Sequence, residues 1–153
     1  MFRPRSTRLL VISLLLLVPV AGWTQSNDVI DRMLEAEIAD LEDALYIVAI
    51  VSGNAEPDAD LDSAVNAVDW NQYGIELNRA KSGISFGELS YLLLEQLPLP
   101  RGLFYQLFPG PRYAARELRY AGIPARSYYP GTRLSGLEVL RLTQRAADRA
   151  GSN

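Results

Sequence analysis

Apolar and polar positions change their period along this chain, and each change marks an element. Residues 9–20 form an apolar run interrupted only by Ser13 and Pro19, with Arg3, Arg5 and Arg8 before it and the small residues Ala21 and Gly22 after it. A positive start, a short apolar stretch and small residues make the tripartite pattern of a secretory leader, with cleavage expected within residues 22–25. The run is too short to cross a bilayer, which takes about 20 residues. The chain is therefore expected to divide into a leader, residues 1–24, and one exported domain, residues 25–153, with no transmembrane span in the mature chain.

From residue 27 the period becomes helical. Ile30, Leu34, Ile38, Leu41, Leu45 and Val48 recur every three or four residues and make one apolar stripe on a helix predicted over 27–51. The part from 44 to 51 is apolar all round and is expected to be buried, and Gly53-Asn54 stops it. The acidic stretch 56–62 contains Pro57 and reads as a loop. Asp60 or Asp62 can cap a second helix over 63–73 that ends at Gly74.

A third helix opens at Ser85-Phe86-Gly87-Glu88, a capping box in which serine and glutamate satisfy each other's free backbone N–H groups. Leu89, Leu92, Leu93 and Leu97 give it a core face. Pro98 and Pro100 end it, and residues 103–108 suit one short helical turn. Pro111 suits the first position of a helix over 111–121 that ends at Gly122. A loop over 124–133 leads to a second capping box, Ser135-Gly136-Leu137-Glu138, and a last helix to about residue 149. No long apolar–polar alternation is present, so the expected fold is all-α.

Charge divides the chain in two. Residues 26–80 carry thirteen acids against two arginines, whereas residues 81–153 carry ten bases against five acids. Such asymmetry fits a basic face that meets an anionic partner, or simply a bipolar solvated surface. The chain has no cysteine and no histidine. That removes disulfides, thiol chemistry, histidine-based triads and the usual zinc sites. An exported domain of this size without disulfides fits the bacterial periplasm or cell surface better than an animal secretion. Nucleic acid is not an expected partner for an exported, net acidic chain, and no cofactor motif is present.

Spacings recur. Gly74-Ile75 precedes Ile84-Ser85 and Glu88, and Gly122-Ile123 precedes Leu134-Ser135 and Glu138; further back, Ile38 and Glu42 stand as Ile84 and Glu88 do. The unit is a capped helix, a long connection, a helix ending at Gly-Ile, and a loop into the next cap. It resembles the S-layer homology (SLH) motif of bacterial envelope proteins. Ile84-Ser85-Phe86-Gly87-Glu88-Leu89 looks like that family's opening box, and Tyr113-Ala114 like its aromatic-alanine pair. Gly122-Ile123 looks like its helix end. Tyr129-Pro130-Gly131-Thr132 looks like its loop, and Leu134-Ser135-Gly136-Leu137-Glu138 like the next box. The likeness covers residues 84–146 well and 38–75 poorly. It implies about two helix-loop-helix units plus a closing helix, docking on cell-wall polymer. The family's box arginine is replaced by Phe86 and Gly136, and Val65 stands opposite Tyr113, so the fold carries over better than the ligand.

Three groups of residues could carry chemistry. Arg112, Tyr113 and Arg116, with Tyr128, Tyr129 and Arg133 on the following loop, combine guanidinium forks for carboxylate or phosphate with tyrosine faces for sugars; the plain alternative is packed tyrosines and solvated arginines. Asp58, Asp60, Asp62 and Asp69 fall at oxygen positions of a calcium loop, but Ser63 stands where the sharp turn wants glycine, and an acidic cap is the alternative. Glu88 and Glu138 are conspicuous acids, yet their capping role with Ser85 and Ser135 accounts for both without catalysis. Finally, residues 97–111 hold Phe104, Tyr105 and Phe108, either a cover for the core or an exposed docking loop. The expectation is a non-catalytic envelope module that binds peptidoglycan or an anionic glycan, or a periplasmic scaffold for another envelope protein.

Overall fold

The computed structural model describes residues 24–152; residues 1–23, which carry the inferred leader, and Asn153 lie outside the described residues. The described chain forms seven α-helices: α1 (Thr24–Glu35), α2 (Leu41–Val51), α3 (Leu61–Asn66), α4 (Phe86–Gln96), α5 (Leu103–Leu107), α6 (Pro111–Tyr120) and α7 (Gly136–Gly151). Two 3-10 turns, Trp70–Tyr73 and Leu77–Arg79, lie between α3 and α4. Among the described residues, pairing of extended backbone is limited to the isolated bridges Asp40–Gly83 and Ser85–Arg133. The all-α expectation therefore holds. No described helix is long and apolar enough to cross a membrane.

The three residues that immediately precede the N-caps of α2, α4 and α7 close a ring of backbone hydrogen bonds. Ala39 N–H donates to the Leu134 carbonyl at 2.8 Å, Ile84 N–H to Ala39 at 3.0 Å, and Leu134 N–H to Ile84 at 3.1 Å. The helices that follow extend this cyclic order. Leu41 and Glu42 donate to the carbonyls of Ser82 and Ala80, Phe86 and Gly87 to Thr132 and Pro130, and Gly136 to Ala36. These are first-turn N–H groups, which have no partner inside their own helix. The residue matched with Ile84 and Leu134 is thus Ala39, one place after Ile38, and the acid three residues beyond its cap is Asp43 rather than Glu42.

Two of the three caps are the expected boxes. Ser85 and Ser135 accept from the N–H of Glu88 and Glu138, whose carboxylates return to the serine N–H groups at 2.9 Å. Asp40 makes no side-chain cap. Asp43, almost fully buried, instead takes both arms of Arg32, at 3.1 Å from Nε and 2.5 Å from Nη2. This fork fastens α1 to α2, and the bond to Asp43 raises the Arg32 pKa despite partial desolvation.

The helix predicted over 27–51 is two helices. Residues 36–40 leave the helical path because Ala36 and Ala39 bond to Gly136, Ile84 and Leu134. The break resets the register. Val29 and Met33 face the core from α1, while Ile30, Leu34 and Ile38 lie at the surface, contrary to the continuous stripe. Beyond the break, Leu41, Leu45 and Val48 are buried as expected. The helix predicted over 63–73 also divides. It stops at Asn66, and a 3-10 turn capped by Asp69 puts Trp70 in the core, with its indole N–H on the Val65 carbonyl at 2.6 Å. Gly74 ends that turn at φ +69° and Gly122 follows α6 at φ +71°, both in the left-handed region that favours glycine.

Leu89, Leu92, Leu93 and Leu97 form the expected inner face of α4, which packs most extensively against α6. Phe86, at the first position of α4, is fully buried. Gly136, at the first position of α7, lies against the end of α1, where a Cβ would overlap the Met33 carbonyl. Neither position has room for the arginine of the SLH box.

Gly136→Ala is therefore expected to lower stability by about 2–3 kcal/mol, because the obstacle is backbone and cannot turn aside. Gly131→Ala, with open space around the new methyl, should change it by less than about 0.5 kcal/mol. Equal midpoints for the two variants in urea unfolding would contradict the close approach.

Candidate functional site

The loop after α6 turns back over the start of α7. Tyr128 anchors it. Its ring stacks on Phe86 with centroids 5.0 Å apart, and its hydroxyl donates to Glu138 Oε1 at 3.1 Å. The Arg126 guanidinium lies 4.8 Å from the Tyr128 centroid and pairs with Glu138. Tyr128 is therefore a buried wall of the site, not a free platform for a sugar.

Beside this cluster is a cleft of about 280 Å³ lined by Ala125, Arg126, Tyr128, Glu138, Arg141, Leu142 and Arg145. Arg145 donates to the Ile123 carbonyl at 3.3 Å and also borders a second cleft, of about 330 Å³, that reaches Arg149. Arg141, Arg145 and Arg149 stand four residues apart on one face of α7, about 6 Å from one another along the axis. Among the described residues, Arg141, Arg145 and Arg149 have no carboxylate within ion-pair distance. The single acid of the first cleft, Glu138, is already held by Ser135, Tyr128 and Arg126. Asp148 lines the second cleft beside Arg145 and Arg149, where its carboxylate accepts from the Gln144 amide at 2.8 Å. The three arginines can hold an elongated anion in bidentate guanidinium contacts.

The residues expected to form one basic, tyrosine-rich face are divided. Arg133, half-exposed, donates to the Gly83 carbonyl and lies 3.5 Å from Glu88, so it fastens the ring. Tyr129 is 83 % exposed. Arg112, Tyr113 and Arg116 belong to α6, where Tyr113 stacks on Phe108 and Arg116 lies over the Phe104 and Tyr120 rings at 5.4 and 5.2 Å. The arginines of α7 were not singled out in the sequence, although their spacing of four was there to be read.

The acidic loop is taken up by capping. Asp60 accepts from the Ser63 N–H and hydroxyl, which lowers its pKa, and Asp69 accepts from the Asn71 N–H. Asp58 and Asp62 are exposed. Among the described residues no group of three or more acids, histidines or cysteines is placed to hold a metal ion.

Glu88 and Glu138 lie at the edges of the ring. Burial pushes each carboxyl up, but the bonds from Ser85 and Arg79 outweigh it at Glu88, as do those from Ser135, Tyr128 and Arg126 at Glu138. Both end below the ordinary value. Comparison with protein-family models, with curated proteins and with solved structures finds no match for this chain.

Because both carboxyls titrate lower in the folded chain, their contribution is fully present above the ordinary value of 4.5 and is lost as the pH falls through the depressed values. The double variant Glu88→Gln, Glu138→Gln keeps an amide oxygen for each cap but loses the charge, so it should lose about 0.3–1 kcal/mol per site at neutral pH, and its melting temperature should fall less steeply in acid. Melting curves followed across that range check this; an acid slope equal to the native chain's would show that other groups govern it.

Proposed function

We propose that this chain is a non-catalytic module of the bacterial envelope that holds an anionic wall polymer along the arginine-lined clefts of its C-terminal half. The observation that carries the reading is the row Arg141, Arg145 and Arg149 on one face of α7. A polymer with carboxylate or phosphate groups at regular intervals would meet successive guanidinium groups along the helix. Contacts of this kind are multivalent and weaken with salt. Export to the periplasm or cell surface is supported by the leader-like residues 1–24, and the wall as a target by the likeness to SLH motifs. The cyclic ring at Ala39, Ile84 and Leu134 supports that likeness, since it relates three helix starts in order, two of them capping boxes.

A second reading is a periplasmic scaffold for another envelope protein. Ile30, Leu34 and Ile38, exposed in the first half of the molecule, favour it.

The test is co-sedimentation of the chain from residue 24 onward with purified insoluble sacculi. The native chain should pellet at low salt and be released as salt is raised. The variant Arg141→Ala, Arg145→Ala should bind roughly tenfold more weakly, two modest charged contacts amounting to about 1.4 kcal/mol. A folded native chain that stays in the supernatant at low salt would rule out the wall-polymer reading and leave the scaffold.

A further inference from the structure

The short helix α5 stands out from the body with its apolar side facing solvent. Leu103, Phe104, Leu107 and Phe108 are 68, 53, 60 and 60 % exposed. Leu103, Phe104 and Leu107 stand at i, i+1 and i+4 of the helix, and Phe108 follows at its C-cap, so that the four make one apolar patch. These side chains are not loose. Tyr105, between them, is buried and donates to Glu95 at 2.5 Å, and the Gly102 N–H that starts the helix is held by Glu117 at 3.1 Å. The anchors fix α5 with its apolar row outward. A contiguous apolar patch held at the surface marks a site of docking.

The charges around the row are of one sign. Arg112, Arg116 and Arg119 stand at i, i+4 and i+7 of α6, and Arg116 lies directly over Phe104. The acid on that helix, Glu117, is turned in to Gly102, and Glu95 is held by Tyr105 and Arg101. Tyr120, 71 % exposed, continues the aromatic edge beside Arg116. The result is an apolar tip with an arginine row beside it and its neighbouring carboxylates directed into the body.

We infer that this tip docks on an anionic lipid surface, with Leu103, Phe104, Leu107 and Phe108 entering the headgroup–acyl boundary and Arg112, Arg116 and Arg119 meeting lipid phosphates. An apolar row flanked by cations is the arrangement that binds at such a boundary: buried apolar area supplies adhesion, and the cations add attraction to a negative surface. Tyrosine at the edge suits the same boundary. The basic flank selects an anionic surface over an uncharged apolar partner. The inference is independent of the wall-polymer reading, which concerns α7.

The test is flotation of the chain from residue 24 onward with vesicles of phosphatidylglycerol mixed into phosphatidylcholine, and with phosphatidylcholine alone. Starting at residue 24 removes the apolar run of the leader, which would bind lipid by itself, and keeps every described core and ring residue. The native chain should float with the anionic vesicles, be partly released by salt, and bind phosphatidylcholine at least roughly tenfold more weakly. The exposed-site variant Phe104→Ser, Phe108→Ser should lose at least roughly tenfold in binding while keeping the native circular dichroism. Arg112→Ala, Arg119→Ala should bind more weakly and lose most of the salt dependence. A native chain that stays below the gradient, or serine variants that float unchanged, would overturn the inference. So would a concentration-dependent dimer that the serine substitutions abolish, found without vesicle binding, since the tip would then pair with a second copy. Arg141→Ala, Arg145→Ala should float like the native chain, which keeps this result separate from the sacculus assay.

Discussion

Three backbone hydrogen bonds, joining Ala39, Ile84 and Leu134 in a ring, set the positions of everything else. They bring the N-termini of α2, α4 and α7 toward one place, which carries a cost, because each helix presents a partial positive charge there. Each helix answers it with an acid at its third position: Asp43, Glu88 and Glu138. Two of these close capping boxes, while the third takes the fork of Arg32. The acids therefore serve the convergence of the helices, and no catalytic role is needed to account for them.

The ring also explains why Phe86 and Gly136 stand at the two positions after the cap serines. The first helical positions face inward against the neighbouring segment, so Phe86 fills core and Gly136 admits the Met33 carbonyl. An arginine at either place would have to displace backbone or core. The arginine rows lie elsewhere, on the outer face of α7 and on α6. Arg133, which looks free in the sequence, is consumed by Gly83 and Glu88.

The C-terminal half thus offers two surfaces of different character. On α7, arginines line two clefts, one walled by Tyr128 and Leu142 and the other by Gly122 and Ile123, which is the surface proposed for an extended anion. On α5 and α6, arginines flank a projecting apolar row, the surface proposed to meet lipid. In both, the neighbouring acids are already engaged: Glu138 is held by Ser135 and Tyr128 and pairs with Arg126, and Glu117 accepts from the Gly102 N–H. Arg141, Arg145 and Arg149 are left with no carboxylate within ion-pair distance among the described residues.

Much of the architecture was legible in local patterns. The boxes at Ser85 and Ser135, the left-handed glycines 74 and 122, and the leucine face of α4 follow from backbone hydrogen bonding and helical period, which act over a few residues. The break at 36–40 was not legible, because its cause lies in Ile84, Leu134 and Gly136, up to a hundred residues away. A periodic stripe records which positions are apolar; it does not record that the chain leaves the helix between them. The exposure of Ile30, Leu34 and Ile38 follows from that break. Nor did the sequence show which tyrosine is free: Tyr128 and Tyr129 are neighbours, yet one stacks on Phe86 and the other faces water. Sequence by itself determined the helical class, the caps and the division of charge, because those depend on residue type and short spacing. Tertiary structure alone decided which arginines remain available and which apolar residues face outward, because both depend on partners that only the closed ring brings together.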